Sequence, residues 1–312
     1  MEREHKTTVF LFGLIILMFL LGETVSHGFA SPEHIRSIMR TASFLGIVSI
    51  GQTLAVLTAG IDLSSGPLIT LGNVFVCMFI NGVNLNTLWA LPVIIFLGVL
   101  FGAVNGVGVT YFKISPLVMT LAIGSLVTGM TLIFSQGAPT GLASPLLRFL
   151  AIGNVSFGLP VIVMIWMFLS GLCILFLDYT TFGRRIYYTG ANERAAFLSG
   201  THVHVVKITV YAISGACSAL SGALMAGYTQ TAFLGIGNEY TMWSITAVVI
   251  GGTSLTGGKG SYIGSIAGSI ILILLESLLT VMNIPEAGRT ISNGIIILVM
   301  ISIYFRQHQQ NT

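Results

Sequence analysis

The chain has 312 residues, 54% of them hydrophobic and only 7% charged, with a formal net charge of +3. A soluble domain cannot hide that much apolar surface, so the composition assigns an all-α integral membrane protein. The small, scattered positive charge excludes a nucleic-acid partner and reads instead as a topology signal.

Met1–Lys6 is a short polar tail, and Thr8–Gly22 is strongly apolar. This run has the form of a secretory signal peptide, with Gly28-Phe29-Ala30 as a poor cleavage site. Further spans follow, so an uncleaved first span is expected. Glu23–Arg40 reads as a polar connection, and Thr41–Ala59 as the second span. After Asp62, Pro67 suits the first turn of a new helix, where its missing N–H costs nothing. A third span to Ile80 is expected. The fourth, Leu88–Tyr111, carries Gly98, Gly102 and Gly106 at four-residue spacing, a flat face for close helix contact. Ser115-Pro116 opens a fifth span to Phe134. The polar stretch Gln136–Phe157 has room for a short re-entrant or surface helix, and Pro160–Leu177 is the sixth span.

Between Asp178 and Lys207 the character changes. Asp178, Arg184, Arg185, Glu193, Arg194 and Lys207 put six of the chain's 23 formal charges (13 basic, 10 acidic) into this island. It reads as a large water-exposed loop on which another protein docks. The seventh span, Ile208–Tyr228, has a second small-residue stripe: Ser214, Ser218, Gly222 and Ala226. Gly235–Tyr240 is expected as a turn before an eighth span around Met242–Gly252. The loop Thr253–Ser261 leads to the ninth span, Tyr262–Met282, with Gly260, Gly264 and Gly268 again every four residues. Thr290–Tyr304 completes ten expected spans in a single domain, 1–312. Ten spans put both termini on one side. With a cytoplasmic N-terminus, nine basic residues lie inside and Arg36, Arg40, Arg148 and Arg289 outside, which favours that orientation.

Ala55–Gly72 aligns with Ala247–Gly264 at a constant offset of 192, with six identities in 18 positions. The copies stand six spans apart, so both loops should face the same side. Internal repeats of this kind are common in transporters.

Catalytic chemistry finds no support. Gly251–Ser261 resembles a phosphate loop only superficially, since Thr253 stands where the first glycine belongs and Gly260 follows Lys259. His202 and His204 would not share a helix face, so no metal site is expected. Cys77, Cys173 and Cys217 lie in apolar sequence without paired spacing and read as packing residues. Translocation-path or gate candidates are Asp62 at a helix break, Asn105, Glu239 before the eighth span and Glu276. Of the carboxylates only Glu276 is expected deep inside a span, where an ionisable group costs about 2.5 kcal/mol or more.

Several motifs, in order, carry a family resemblance. Gly60-Ile61-Asp62-Leu63-Ser64, Asn105-Gly106 and Pro116-Leu117-Val118-Met119-Thr120-Leu121 resemble segments of ribose-type ABC importer permeases. Gly183-Arg184-Arg185, Gly190, Asn192, Ala195-Ala196 and Ser199-Gly200 resemble that family's cytoplasmic coupling loop, here about residues 179–207. Ala247–Gly258 resembles its later glycine-rich segment. The resemblance spans about Ile35–Tyr304. It implies a type II-like ABC importer permease in the bacterial inner membrane, itself without cofactor. It also implies a second permease chain, separate ABC ATPase subunits docked on the coupling loop, and a periplasmic or lipid-anchored sugar-binding protein. The coupling set would be Gly183, Arg184, Arg185, Gly190, Asn192, Glu193, Ala195, Ala196 and Gly200. Ser65, Pro67 and Glu276 depart from the family pattern and leave the substrate open: a monosaccharide, or a nucleoside, signalling sugar or branched-chain amino acid. An ion-coupled secondary transporter using Asp62 or Glu276, and a membrane-embedded enzyme, are the competing readings.

Overall fold

A computed structural model of the chain describes residues 2–155, 158–292 and 294–295. Among the described residues up to Val281, twelve α-helices follow one another: α1 (Glu2–Val25), α2 (Pro32–Leu57), α3 (Ser65–Ile80), α4 (Asn84–Thr110), α5 (Pro116–Phe134), α6 (Pro145–Ile152), α7 (Val161–Tyr179), α8 (Thr181–Ala191), α9 (Glu193–Leu198), α10 (Val203–Thr229), α11 (Asn238–Ile250) and α12 (Tyr262–Val281). Seven of them, α1, α2, α4, α5, α7, α10 and α12, are long and apolar enough to cross a bilayer. α3, with 16 residues, and α11, with 13, are shorter apolar helices. The expected tenth span lies largely outside the described residues.

α2 is the axis of the bundle and is enclosed on nearly every side from Ala42 to Leu57. It starts at Pro32, so much of the expected polar connection is helix. Ser31 caps it, its Oγ accepting from the His34 N–H. The Glu23 carboxylate accepts from the Gly28 and Ala30 N–H groups and fixes the turn between α1 and α2. α10 and α12 flank α2. Hydroxyls tie α2 to α12: Thr53 Oγ1 donates to Ser265 Oγ at 2.8 Å and Ser269 Oγ to Ser49 Oγ at 3.2 Å. Tyr262, at the start of α12, links three helices. Its hydroxyl donates to the Gly46 carbonyl of α2 at 2.9 Å and accepts from Trp166 Nε1 of α7 at 3.0 Å. Large apolar side chains of α1, α4, α5 and α7, among them Phe10, Phe96, Ile133 and Phe168, point outward as a lipid-facing belt.

The glycine stripes are contact faces. α4 and α10 run antiparallel, and a Cβ at Gly98, Gly102 or Gly106 would overlap the α10 backbone at Gly215, Tyr211 or Ile208. Gly268 meets the Ala247 backbone in the same way, closing α12 onto α11. Without a hydrophobic force between helices in lipid, such backbone contact supplies the packing energy.

Two interruptions distinguish the bundle from a set of plain spans. The chain leaves α2 at Leu57 and starts α3 at Ser65. It leaves α10 at Thr229 and runs extended down the side of α3, the Phe233 N–H donating to Asn73 Oδ1 (2.8 Å) and the Gly237 N–H to Thr70 Oγ1 (3.2 Å). α11 then begins beside the first turn of α3, where the Gly66 N–H donates to Thr241 Oγ1 at 3.1 Å. The N-termini of the two short helices therefore meet inside the bundle. The expected turn at Gly235–Tyr240 is the end of this longer descent. Discontinuous helices of this kind mark the working regions of transporters.

Candidate functional site

The helix break after α2 is a buried polar cluster. Asp62 is fully buried. Its Oδ1 accepts from the Ser64 N–H at 2.9 Å and from Ser64 Oγ at 2.6 Å. Its Oδ2 accepts from Ser214 Oγ of α10 at 2.6 Å. Asn105 of α4 donates from Nδ2 to Ser64 Oγ at 2.9 Å. Thr120 of α5 accepts the Leu63 N–H at 3.1 Å. Tyr211 of α10 closes over Gly60, where any side chain would strike the phenol oxygen. Gly60-Ile61-Asp62-Leu63-Ser64 is thus held by α4, α5 and α10 at once. The separate motifs around Asp62, Asn105 and Thr120 are parts of one knot. Asn105 Oδ1 and the Tyr211 hydroxyl are buried there without a hydrogen-bond partner among the described residues.

Burial reverses the expected ranking of the carboxylates. Glu276, expected deep, lies near the C-terminal end of α12 with a quarter of its side chain exposed, and pairs with Arg289 at 3.3 Å. The charge that looked uncompensated in sequence has its partner 13 residues on, beyond the helix end. Asp62, expected at an interface, is the enclosed one. Glu239 is exposed at the start of α11. The four path candidates therefore split, with Asp62 and Asn105 joined through Ser64 and Glu239 and Glu276 elsewhere.

The charged island is mostly helical. α7 runs on to Tyr179, α10 starts at Val203, and α8 and α9 fill the interval. Thr180 caps α8 by accepting the Gly183 N–H at 2.9 Å, and Asn192 Oδ1 caps α9 by accepting from the Ala195 N–H, also at 2.9 Å. Glu193 is bound to Lys207 at 2.6 Å within the chain. Gly183 and Gly190 are buried, and Ala196 is 4% exposed. These three seat the helices on the rest of the protein. Arg184, Arg185, Arg194, Ala195 and Gly200 face outward, joined by Phe197 (62% exposed) and Leu198 (77%). The outer face therefore combines arginines with large apolar groups, the composition of a protein interface. Phe197 and Leu198 were missed in sequence. Their exposure beside three arginines is the signal, and it is visible only once the helix faces are known.

The island also touches the knot. A Cβ at Gly190 would overlap the Leu57 carbonyl and approach the Gly258 nitrogen. The Gly258 N–H donates to the Leu57 carbonyl at 2.9 Å. Tyr187 OH donates to the Gly260 carbonyl at 3.0 Å. Three backbones, from α8, from the end of α2 and from the α11–α12 loop, meet at one junction. The two loops of the internal repeat accordingly lie on the same side. Their helix ends match in detail: Ala59 and Gly252 both take positive φ, and the Gly60 and Thr253 N–H groups donate back to the Ala55 and Val248 carbonyls. That geometric match has an offset of 193, one more than the offset that aligns the identical residues.

Residues 34–302 match the family described as the branched-chain amino acid transport system / permease component. The chain is similar to the ribose import permease RbsC of Haemophilus influenzae, 32% identical over 92% of this chain and 90% of that one. It is also similar to RbsC of Bacillus subtilis (33%; 93% and 89%) and to the fructose import permease FrcC of Rhizobium meliloti (31%; 93% and 82%). No solved structure matches it. A match over most of the chain, with the motif residues gathered into one buried knot and one exposed helical face, shows that the chain is a multi-pass membrane protein belonging to the family of branched-chain amino acid transport system permease components.

Proposed function

We propose that this chain is the membrane-spanning subunit of an ATP-driven importer that moves a monosaccharide inward across the bacterial inner membrane. Relatives named as ribose and fructose import permeases support the substrate class. The observation that carries the reading is the α8–α9 face, where Arg184, Arg185, Arg194, Phe197 and Leu198 are exposed while Gly190 is locked into the core. A separate ABC ATPase subunit docks there and hydrolyses ATP. A periplasmic or lipid-anchored sugar-binding protein delivers the substrate at the opposite end, and a second permease chain completes the pathway. Both termini lie on the cytoplasmic side, with α3 and α11 counted among ten passes. The antiparallel run of α4 and α10, fourth and seventh in that count, supports it.

Reconstitution into liposomes with the ATPase and binding protein tests the reading. ATP-dependent uptake of radiolabelled ribose or fructose is expected. A further relative, the autoinducer 2 import system permease LsrC of Salmonella paratyphi B, is 31% identical over 91% of this chain and 82% of its own, so a signalling sugar is the second substrate to assay. Uptake that runs without the ATPase would refute the reading.

A further inference from the structure

We infer that Tyr187 and Gly190 are the positioning residues through which movement of the docked α8–α9 loop reaches the Asp62 turn. The inference rests on the ATPase-docking reading and names the path inward from it.

Gly190 is the last buried residue of α8, and its backbone lies directly on the Leu57 carbonyl. Leu57 is the last residue of α2 and fully buried. The chain from Leu57 to Gly60 is tied closely to the end of α2. The Thr58 and Ala59 N–H groups donate back to the Ala55 and Val56 carbonyls, and the Gly60 N–H donates to Ala55 at 2.9 Å. A displacement of Leu57 therefore carries Gly60 with it, two residues before Asp62. Asp62 holds α10 through Ser214 and α4 through Ser64 and Asn105.

A second line runs through Tyr187. Its hydroxyl grips the Gly260 carbonyl, in the loop whose Gly258 N–H is bound to Leu57. Side-chain packing follows the same course. Ile186 of α8 is fully buried in one apolar cluster with Leu54, Leu57, Val210 and Tyr211. The tip of α8, the end of α2 and the α11–α12 loop therefore move as one packed body, and both interrupted regions receive the same stroke. The unpartnered Asn105 Oδ1 and Tyr211 hydroxyl lie at the receiving end. They offer a hydrogen-bond acceptor and a donor for a second arrangement of the knot.

The test compares the intact chain with Tyr187→Phe, Gly190→Ala and the control Tyr179→Phe, the exposed last residue of α7. Each is co-expressed with the ATPase, purified as the assembly and reconstituted. ATP hydrolysis and ribose uptake are measured together. Tyr187→Phe should retain ATPase association and hydrolysis while uptake per ATP falls by about two- to tenfold, the span one neutral hydrogen bond supports. Gly190→Ala should fall further, and Tyr179→Phe should match the intact chain. If Tyr187→Phe keeps the intact ratio of uptake to hydrolysis, the inference is overturned, whether or not Gly190→Ala folds. If the intact chain does not co-purify with the ATPase at all, the docking reading itself fails and takes the inference with it.

Discussion

Ser214 Oγ donates to Asp62 Oδ2 at 2.6 Å, joining residues 152 positions apart in the chain. This bond ties the midpoint of α10 to the turn that leaves α2. A buried carboxyl group with no cationic partner among the described residues depends on such donors, and leaving one of its oxygens unsatisfied costs roughly 1–3 kcal/mol. Ser214→Ala should therefore lower the thermal unfolding temperature in detergent and reduce uptake about tenfold or more. Asp62→Ala, which strands the Ser64 N–H and the Ser64 and Ser214 hydroxyls together, should be more severe than either Ser214→Ala or Asn105→Ala. Equal stability of Asp62→Ala and the intact chain would contradict the knot.

The α4–α10 seam makes a second expectation. Gly102→Ala drives a methyl group into the Tyr211 backbone, and neither helix can yield without disturbing the Asp62 turn. A cost of about 1–3 kcal/mol is expected from overpacking. Gly129→Ala and Gly171→Ala meet nothing within 4 Å. They should be neutral or stabilising by about 0.5–1 kcal/mol, since alanine is the better helix former. Unfolding temperatures of the three variants decide this, and a Gly102→Ala protein as stable as Gly129→Ala would exclude the contact.

Much of this was legible in the chain itself. Hydropathy located the long helices, the four-residue glycine stripes marked the contact faces, and the charge island marked α8 and α9. What escaped was long-range. Tyr211, Ser214 and Thr120 meet the Asp62 turn from helices far along the chain, and no local pattern records that meeting. The exchange of roles between Asp62 and Glu276 has the same origin. The expected span Tyr262–Met282 matched α12 closely, but no local pattern shows that Arg289 turns back to Glu276. The short eighth span was expected around Met242–Gly252, but not a helix that begins at Asn238, within the expected turn and beside the start of α3.

The partly buried pair at Glu276 sets the third expectation. With both side chains about a quarter exposed, the ion pair with Arg289 contributes at most about 1 kcal/mol. Glu276→Gln should retain more than about half of intact uptake, as expected for a pair this weak. Near-complete loss, with folding intact, would restore Glu276 as a coupling carboxylate and favour an ion-driven transporter.

The docking face gives the fourth. Arg184→Glu combined with Arg185→Glu reverses two exposed charges that make no ion pair among the described residues. Folding should be unchanged, because surface substitutions of this kind shift stability by about 0.5 kcal/mol or less. Association with the ATPase, read by co-purification, should fall by about tenfold or more and become less sensitive to salt. Unchanged association would move the docking site elsewhere.

The most direct measurement is sugar uptake by the reconstituted assembly with ATP inside the liposomes, in the presence and absence of a proton uncoupler. Uptake that requires ATP and the ATPase subunit and is indifferent to the uncoupler is the expected result. Uptake that persists without ATP and collapses with the uncoupler would contradict it.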